Sequence, residues 1–319
     1  MKIAVLGAGS LGSAIGGVLA EHGNEVILVN RNAAFCDVVN TNGLKLLDGG
    51  AAGIPRIVRL QAILDVASQP SLSGGEVRPF DLIIVLVKSK DTEAVVRSAL
   101  PWVSQHTVVM SLQNGLGHED IIGGIVGSHR VLAGKTYVGG LMTSPGVVTM
   151  GTTNKDTIIG ELDGALSPRV QAIGKAFADA GLQTIVSRNI MGAMWDKILV
   201  NVATGAITGI TRLVYGLMYQ VPELEATACA AVAEAMAVAK AKGISLSINE
   251  PITAWHKAGR GLPFEFKASM LQSLEKNSVA EIDYINGAVV QAGKQLGIPT
   301  PVNETLVALI KGIERGLPA

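Results

Sequence analysis

The chain has 319 residues, of which 48% are hydrophobic and 16% are charged. This length allows two domains with their own cores, and the apolar content argues against a disordered chain. Lys plus Arg equals Asp plus Glu at 26 each, so the charge balance does not favour a nucleic-acid partner. We expect no membrane span, no metal site and, with only Cys36 and Cys229, reduced thiols in a cytoplasmic protein.

A glycine-rich turn stands at the start of the chain. A short apolar run is followed by GAGSLG at 7–12 and, after a helix-compatible stretch, by a second apolar run at 25–29. Strand, glycine turn, helix and strand in this order form the context of a dinucleotide-binding fingerprint. Gly7 allows the tight turn, Gly9 lets the backbone approach a pyrophosphate, and Gly12 lets the helix pack close to the strand. The helix N-terminus then offers N–H groups and a partial positive charge to the phosphates.

The end of the second strand indicates which dinucleotide binds. An acidic residue there would bind the ribose hydroxyls of NAD and repel the extra phosphate of NADP. This chain has Asn30-Arg31 instead, and the planar, cationic side chain of Arg31 fits a phosphate. The sequence therefore predicts NADP; the alternative interpretation of Arg31 is a solvated arginine at a strand end.

Strand signals dominate the chain up to residue 187. Predicted strands lie at 2–6, 25–29, 44–47, 56–60, 82–87, 107–112, 130–138, 146–151, 157–161 and 182–187. Predicted helices between the early strands lie at 11–22, 91–103 and 118–127. This alternation predicts an α/β fold with a doubly wound, Rossmann-type sheet, to which the later, closely spaced strands add an antiparallel extension. The Ser-, Gly- and Pro-containing segment 67–79 is predicted to be a surface loop.

The character of the sequence changes after residue 188. Ala-rich stretches with helical spacing follow at 221–242, 279–296 and 302–315, and strand signals vanish. We predict an NADP-binding Rossmann-type domain over 1–187 and an all-helical substrate and catalytic domain over 188–319, with a ligand site in the cleft between them. The apolar helix faces suit a core or an interface, so monomer and homodimer both stay open.

Two polar residues directly follow predicted strands of the first domain. Lys88 follows the strand at 82–87, and Asn114 follows the strand at 107–112 within LQNGLG. Ligand contacts gather at the carboxyl ends of parallel strands, so both residues are candidates for binding. The alternatives are a solvated lysine that opens a loop and an ordinary Asn-Gly turn.

The helical part adds further polar candidates. WDKILVN at 195–201 places Lys197 and Asn201 four residues apart on one helix face, among apolar neighbours. A lysine in such surroundings needs a partner or a function, unless it extends to solvent. Glu281 lies in EIDYING, where the alternative to a site role is an acidic residue at a helix N-terminus.

Together these motifs resemble the ketopantoate reductase family, the NADPH-dependent 2-dehydropantoate 2-reductases. The resemblance runs nearly from end to end and rests on GAGSLG, Asn30-Arg31, Lys88, LQNGLG, WDKILVN, and SMLQ followed by EIDYING. It implies a Rossmann-type domain, a helical C-terminal domain and an active site between them. The implied reaction is reduction of a small 2-keto acid with NADPH, most simply 2-dehydropantoate to pantoate in pantothenate and coenzyme A biosynthesis.

The resemblance also implies roles for particular residues. The implied catalytic residues are Lys197, as the acid, and Glu281. The implied substrate-binding residues are Asn114, Asn201, Ser269 and Thr204. The implied cofactor-binding residues are Gly7, Gly9, Ser10, Leu11, Gly12, Arg31, Lys88 and Asn114.

One position departs from the family pattern. The family usually has Asn-Pro where this chain has Thr204-Gly205, so a shorter hydroxyl replaces an amide at the substrate end. A related NADP-dependent dehydrogenase acting on another 2-keto acid, a 3-hydroxy acid or an imine therefore stays open. A non-catalytic NADP-sensing module is the remaining alternative, and it would leave Lys197, Asn201, Ser269 and Glu281 unexplained together.

Overall fold

The computed structural model describes residues 1–48, 55–66, 79–151 and 155–318. The predicted loop at 67–79 lies, except for Pro79, outside the described residues. The chain divides into two compact units, the first of Met1–Gln113 with His118–Ile190 and the second of Asn114–Gly117 with Met191–Ala319.

The described strands all belong to the first unit. They are β1 (Lys2–Leu6), β2 (Glu25–Val29), β3 (Leu44–Asp48), β4 (Arg56–Val58), β5 (Gln61–Ile63), β6 (Leu82–Val85), β7 (Val108–Ser111), β8 (Val131–Thr136), β9 (Gly140–Ser144), β10 (Val147–Met150), β11 (Thr157–Gly160) and β12 (Thr184–Val186).

Among the described residues, five α-helices accompany these strands, and the second unit is helical. The helices of the first unit are α1 (Ser10–Glu21), α2 (Ala33–Asn42), α3 (Thr92–Ser98), α4 (His118–Val126) and α5 (Pro168–Asp179). The second unit is built from α6 (Ile190–Thr211), α7 (Tyr215–Met218), α8 (Pro222–Ala241), α9 (Pro251–Gly259), α10 (Ser269–Glu275), α11 (Asn286–Leu296) and α12 (Pro301–Arg315).

The main sheet has eight strands in the order β12-β11-β8-β7-β6-β1-β2-β5. The six strands β8, β7, β6, β1, β2 and β5 run parallel to one another, and the strand order reverses at β1, which makes the sheet doubly wound. Successive residues of β1 enter different cores, with Ile3 and Val5 on one face and Ala4 and Leu6 on the other. Burial on both faces explains the continuous apolar sequence of such strands and confirms the predicted α/β fold.

The extension of the sheet is only partly as predicted. β11 runs antiparallel to β8, and β12 runs parallel to β11. β10, however, joins a separate four-stranded sheet in the order β4-β3-β10-β9. Glycines in α1 make room for both sheets, since a Cβ at Gly16 would lie 2.6 Å from Leu28 and one at Gly17 would lie 2.7 Å from Leu44.

Helix α6 is a long, largely buried helix of the second unit. It is long and apolar enough to cross a membrane by length and composition, but 72% of its most apolar window is buried within the protein, as in a core helix. A Cβ at Gly209 would approach Ile310 of α12 to 2.8 Å, so glycine here permits close helix packing. The predicted helix at 279–296 is shorter than expected, because 282–284 form a 3₁₀ turn before α11 begins.

Candidate active site

The glycine turn has the geometry of a phosphate-binding turn. Gly7 has a φ of +100°, and a Cβ there would lie 2.4 Å from the backbone N of Val87. A Cβ at Gly12 would lie 2.3 Å from the carbonyl oxygen of Gly7, so α1 and the turn touch through backbone atoms alone. Neither position tolerates a side chain.

The N-terminus of α1 is open to a ligand. A Cβ at Gly9 would meet nothing within 4 Å, and Gly9 is the N-cap residue without any side-chain cap. The first N–H groups of α1 are thus available to an anion, which fits the phosphates of a dinucleotide. Ser10 is turned elsewhere, because its Oγ accepts a hydrogen bond of 3.0 Å from the Met142 N–H, and Leu11 packs against the core.

Asn30 and Arg31 differ in what they do. Asn30 Nδ2 donates to the carbonyl oxygen of Ala8, so Asn30 supports the glycine turn from the end of β2. Arg31 extends outward with 85% of its side chain exposed, and its Nη2 donates to Oδ2 of Asp91 at 3.1 Å. An exposed guanidinium beside the turn is available to a phosphate group.

Lys88 is exposed at the end of the segment that follows β6. Gln113, at the end of β7, fixes this segment through hydrogen bonds of 2.9 Å from its Nε2 to the Val87 carbonyl oxygen and to Thr92 Oγ1. The segment with Lys88 is therefore held against the neighbouring strand end.

Within the second unit, Lys197 lies next to Asn114. Lys197 Nζ donates to Asn114 Oδ1 at 2.8 Å, across 83 residues of sequence. Both side chains are half-buried, and Asn201 is half-buried one turn further along α6. The lysine ammonium and the asparagine amide thus form one polar group.

Glu281 lies in a segment that is hydrogen-bonded to the loop carrying Asn114. It precedes the 3₁₀ turn at 282–284, and the carbonyl oxygen of Tyr284 accepts a hydrogen bond of 2.9 Å from the Leu116 N–H. From the other side, the Ala280 N–H donates to Glu314 Oε1 at 2.8 Å, and Lys311 bonds to Asp283. The backbone on both sides of Glu281 is therefore fixed.

Ser269 and Thr204 differ in exposure. Ser269 is exposed at the first turn of α10. Thr204 is only 2% exposed, and its hydroxyl donates to the Val200 carbonyl oxygen and lies 2.9 Å from the hydroxyl of Tyr215. Burial raises the pKa of Tyr215, so its phenol stays protonated and can donate to Thr204. The predicted contact of Thr204 with substrate stays a prediction.

Three residues that contact predicted site residues or their segments were not found from the sequence. Asp91, Tyr215 and Glu314 act on Arg31, Thr204 and the Glu281 segment from distant positions in the chain. Asp91 had a weak signal, since it is an acidic residue close behind the strand end at Lys88. No local pattern indicates the partners of Tyr215 or Glu314.

The comparisons with known proteins agree along the whole chain. Residues 3–164 match the family described as Ketopantoate reductase PanE/ApbA, and residues 189–314 match its C-terminal family. A 2-dehydropantoate 2-reductase of Halobacterium salinarum is 34% identical, with 99% of both chains covered. The crystal structure of a PanE/ApbA family ketopantoate reductase from Ralstonia eutropha superposes with a TM-score of 0.86 at 31% identity and 99% coverage of both chains.

A second activity occurs among similar structures. The ternary structure of D-mandelate dehydrogenase with NADH and anilino(oxo)acetate superposes with a TM-score of 0.85 at 27% identity, again over 99% of both chains. The fold and the matched motifs define an oxidoreductase with a Rossmann-type unit. The chain belongs to the ketopantoate reductase family.

Proposed function

We propose that this protein is a cytoplasmic enzyme that reduces 2-dehydropantoate to pantoate with NADPH, a step of pantothenate and coenzyme A biosynthesis. The observation that carries the proposal is the hydrogen bond of 2.8 Å between Lys197 and Asn114, beside the fixed segment of Glu281. The name of the full-length relative, 2-dehydropantoate 2-reductase, supports the choice of substrate. In this proposal, the domain of 1–187 binds the cofactor and that of 188–319 carries the substrate chemistry.

The first unit fits a nicotinamide dinucleotide. The open turn at Gly9 and the N–H groups of α1 would hold the pyrophosphate, and Arg31 and Lys88 would hold the phosphate at the adenosine end. When bound, the reduced cofactor supplies a hydride to the keto carbon. NADPH is the expected form, because the end of β2 carries a cation and no carboxylate.

Lys197 is the proposed catalytic acid. Reduction of a keto group builds negative charge on its oxygen, and a lysine ammonium stabilises that charge and then donates a proton. The hydrogen bond to Asn114 Oδ1 holds the ammonium in one direction. Held donors of this kind stabilise the transition state without reorganisation.

The remaining residues have supporting roles. Glu281 is proposed to accept a hydrogen bond from the hydroxyl that forms. Ser269, Asn114 and Asn201 are proposed to donate to the substrate carboxylate or hydroxyl, as the family resemblance implies. The Thr204 hydroxyl already bonds to Tyr215 and to the Val200 carbonyl oxygen.

A second candidate substrate is an aromatic or otherwise different 2-keto acid. Two observations favour it: Thr204-Gly205 stands where the family usually has Asn-Pro, and the D-mandelate dehydrogenase structure contains a bulky keto acid analogue, anilino(oxo)acetate.

The test is oxidation of NADPH by the purified protein with a panel of keto acids. The panel contains 2-dehydropantoate, benzoylformate and 3-methyl-2-oxobutanoate, and kcat/KM is measured for each. We expect 2-dehydropantoate to exceed the others by about tenfold or more, the range that pocket contacts give. Preference for benzoylformate would favour the second candidate, and no turnover with any keto acid would contradict both.

A further inference from the structure

Arg31 has a carboxylate partner that the sequence does not indicate. Its Nη2 donates to Asp91 Oδ2 at 3.1 Å, although the two residues are 60 positions apart. The Arg31 side chain is 85% exposed and that of Asp91 is 26% exposed. A ligand that reaches the guanidinium of Arg31 therefore also comes close to this carboxylate.

The side chain of Asp91 does not cap its own helix, α3. Asp91 is the N-cap residue of α3, where an aspartate commonly accepts a hydrogen bond from the helix backbone. Its side chain makes no such bond. Its backbone N–H donates to the Lys88 carbonyl oxygen at 2.8 Å, which fixes the turn after β6, and its carboxylate is directed at Arg31.

Asp91 thus places next to Arg31 the negative charge that the end of β2 lacks. A carboxylate close to the adenosine ribose accepts hydrogen bonds from its 2′- and 3′-hydroxyls. The same carboxylate repels a 2′-phosphate and competes with it for Arg31. One acidic residue at this place therefore favours NADH and disfavours NADPH.

We propose that Asp91 is a cofactor-specificity residue that weakens the preference of this protein for NADPH and lets NADH bind as well. The inference rests on the proposed function, since it assumes a nicotinamide dinucleotide at the glycine turn. Lys88 and Lys90 are exposed on the same turn and attract a phosphate independently of Asp91. NADPH therefore remains the tighter ligand of the wild type, by a small margin.

The test compares the dissociation constants of NADPH and NADH for the wild type and for Asp91→Asn, by fluorescence titration at low ionic strength. Exposed charge pairs contribute roughly 0.2–1 kcal/mol, so each cofactor should change by about threefold. NADPH should bind more tightly and NADH more weakly. The ratio of the dissociation constant of NADH to that of NADPH should therefore rise by about tenfold. The gain for NADPH should shrink at high salt, because salt screens exposed charges.

Glu93→Gln is the matched control. It removes one negative charge two residues away, from a carboxylate that pairs with Arg97 at 2.9 Å instead of Arg31. The ratio for this variant should stay within about twofold of the wild type. Arg31→Ala should change the ratio in the opposite direction from Asp91→Asn, by about tenfold or more, through loss of the phosphate contact.

Three results would overturn the proposal in distinguishable ways. A ratio that falls in Asp91→Asn, while both cofactors bind, would show that Asp91 orients Arg31 for the phosphate, and a constant ratio would show that Asp91 does not act on cofactor choice. Failure of the wild type to bind either dinucleotide would contradict the proposed function itself.

Discussion

Thr204 stands where this chain departs from its family, and its hydroxyl is buried. It connects the Val200 carbonyl oxygen to the hydroxyl of Tyr215, whose ring packs edge-on against Phe266. The substitution of asparagine by threonine is thus compatible with a local structural role. The family pattern alone would not show this role, because Tyr215 lies outside the motif.

We expect Thr204→Asn to destabilise the protein instead of restoring a better site. An added amide at a position 2% exposed overpacks the contact with Tyr215, at a cost of about 1–3 kcal/mol. Thermal unfolding should show a lower Tm, and kcat/KM for 2-dehydropantoate should not rise. Thr305→Asn is the control, since Thr305 makes the same hydrogen bond to a preceding turn at an exposed position. A variant that is as stable as the wild type and faster would show that residue 204 reaches the substrate.

Glu119 is a buried carboxyl in the first turn of α4. Burial raises its pKa from an ordinary 4.5 to about 7, and its Oε1 has no hydrogen-bond partner among the described residues. Because the folded state binds this proton more tightly than the unfolded state, the free energy of unfolding falls as the pH rises from about 4.5 to about 7.

We therefore predict that Glu119→Gln is more stable than the wild type at pH 8, by about 3 kcal/mol, and equally stable near pH 4.5. Glu304→Gln, at an exposed position of α12, should show no such pH-dependent gain. Denaturant unfolding of the three proteins at both pH values measures the difference. An equal gain at both pH values would show that the effect does not come from ionisation of Glu119.

At the scale of elements, α12 determines the position of the Glu281 segment. Glu314 and Lys311, one turn apart on α12, bond to Ala280 and Asp283 on either side of Glu281. The carboxylate of Glu314 is only 8% exposed, so water is a poor substitute for it. Glu314 is thus a positioning residue for the candidate site.

We predict that Glu314→Ala lowers kcat by roughly tenfold, since a small displacement of a catalytic group has a large effect on rate. Glu314→Gln keeps an acceptor for the Ala280 N–H and should recover most of the rate. The exposed Glu304→Ala on the same helix should change neither rate nor pH profile. The pH dependence of kcat separates the two roles: it should shift in Glu314→Ala if Glu281 moves, whereas a purely structural role would lower the Tm alone.

The elements were predictable where the pattern is local. The β1–turn–α1–β2 unit follows from apolar runs and glycine spacing, and α8 and α12 follow from helical periodicity. α2 and α5 were not predicted, although Asn32 and Ser167 cap them in the usual way. The second sheet was missed because its strands are short, and because β10 pairs with β3, about a hundred residues earlier in the chain.

For the molecule as a whole, the candidate site was likewise predictable where a local motif marks a residue and not where a contact joins distant segments. Lys197 and Asn114 were each predicted as site residues, and their hydrogen bond is a finding of the structure. Asp91 was beyond sequence reasoning because its relevance depends on a contact between segments that are 60 residues apart. The sequence shows which residue types are present and how they are spaced, whereas the neighbours of a side chain depend on the fold.

The proposed function involves both units: the first binds the cofactor, and Lys197 of the second supplies the acid. It predicts that loss of Lys197 affects the rate and not the affinity for NADPH, because the proposed cofactor contacts of the first unit are unchanged. Lys88→Ala should do the reverse and mainly weaken NADPH binding.

The most direct test is the single-turnover rate of NADPH oxidation by Lys197→Ala with saturating 2-dehydropantoate. We predict a rate at least about 100-fold below that of the wild type, on the scale of general-acid and oxyanion contributions, with the dissociation constant of NADPH nearly unchanged. A folded Lys197→Ala protein that binds NADPH and turns over at a near-normal rate would contradict the account.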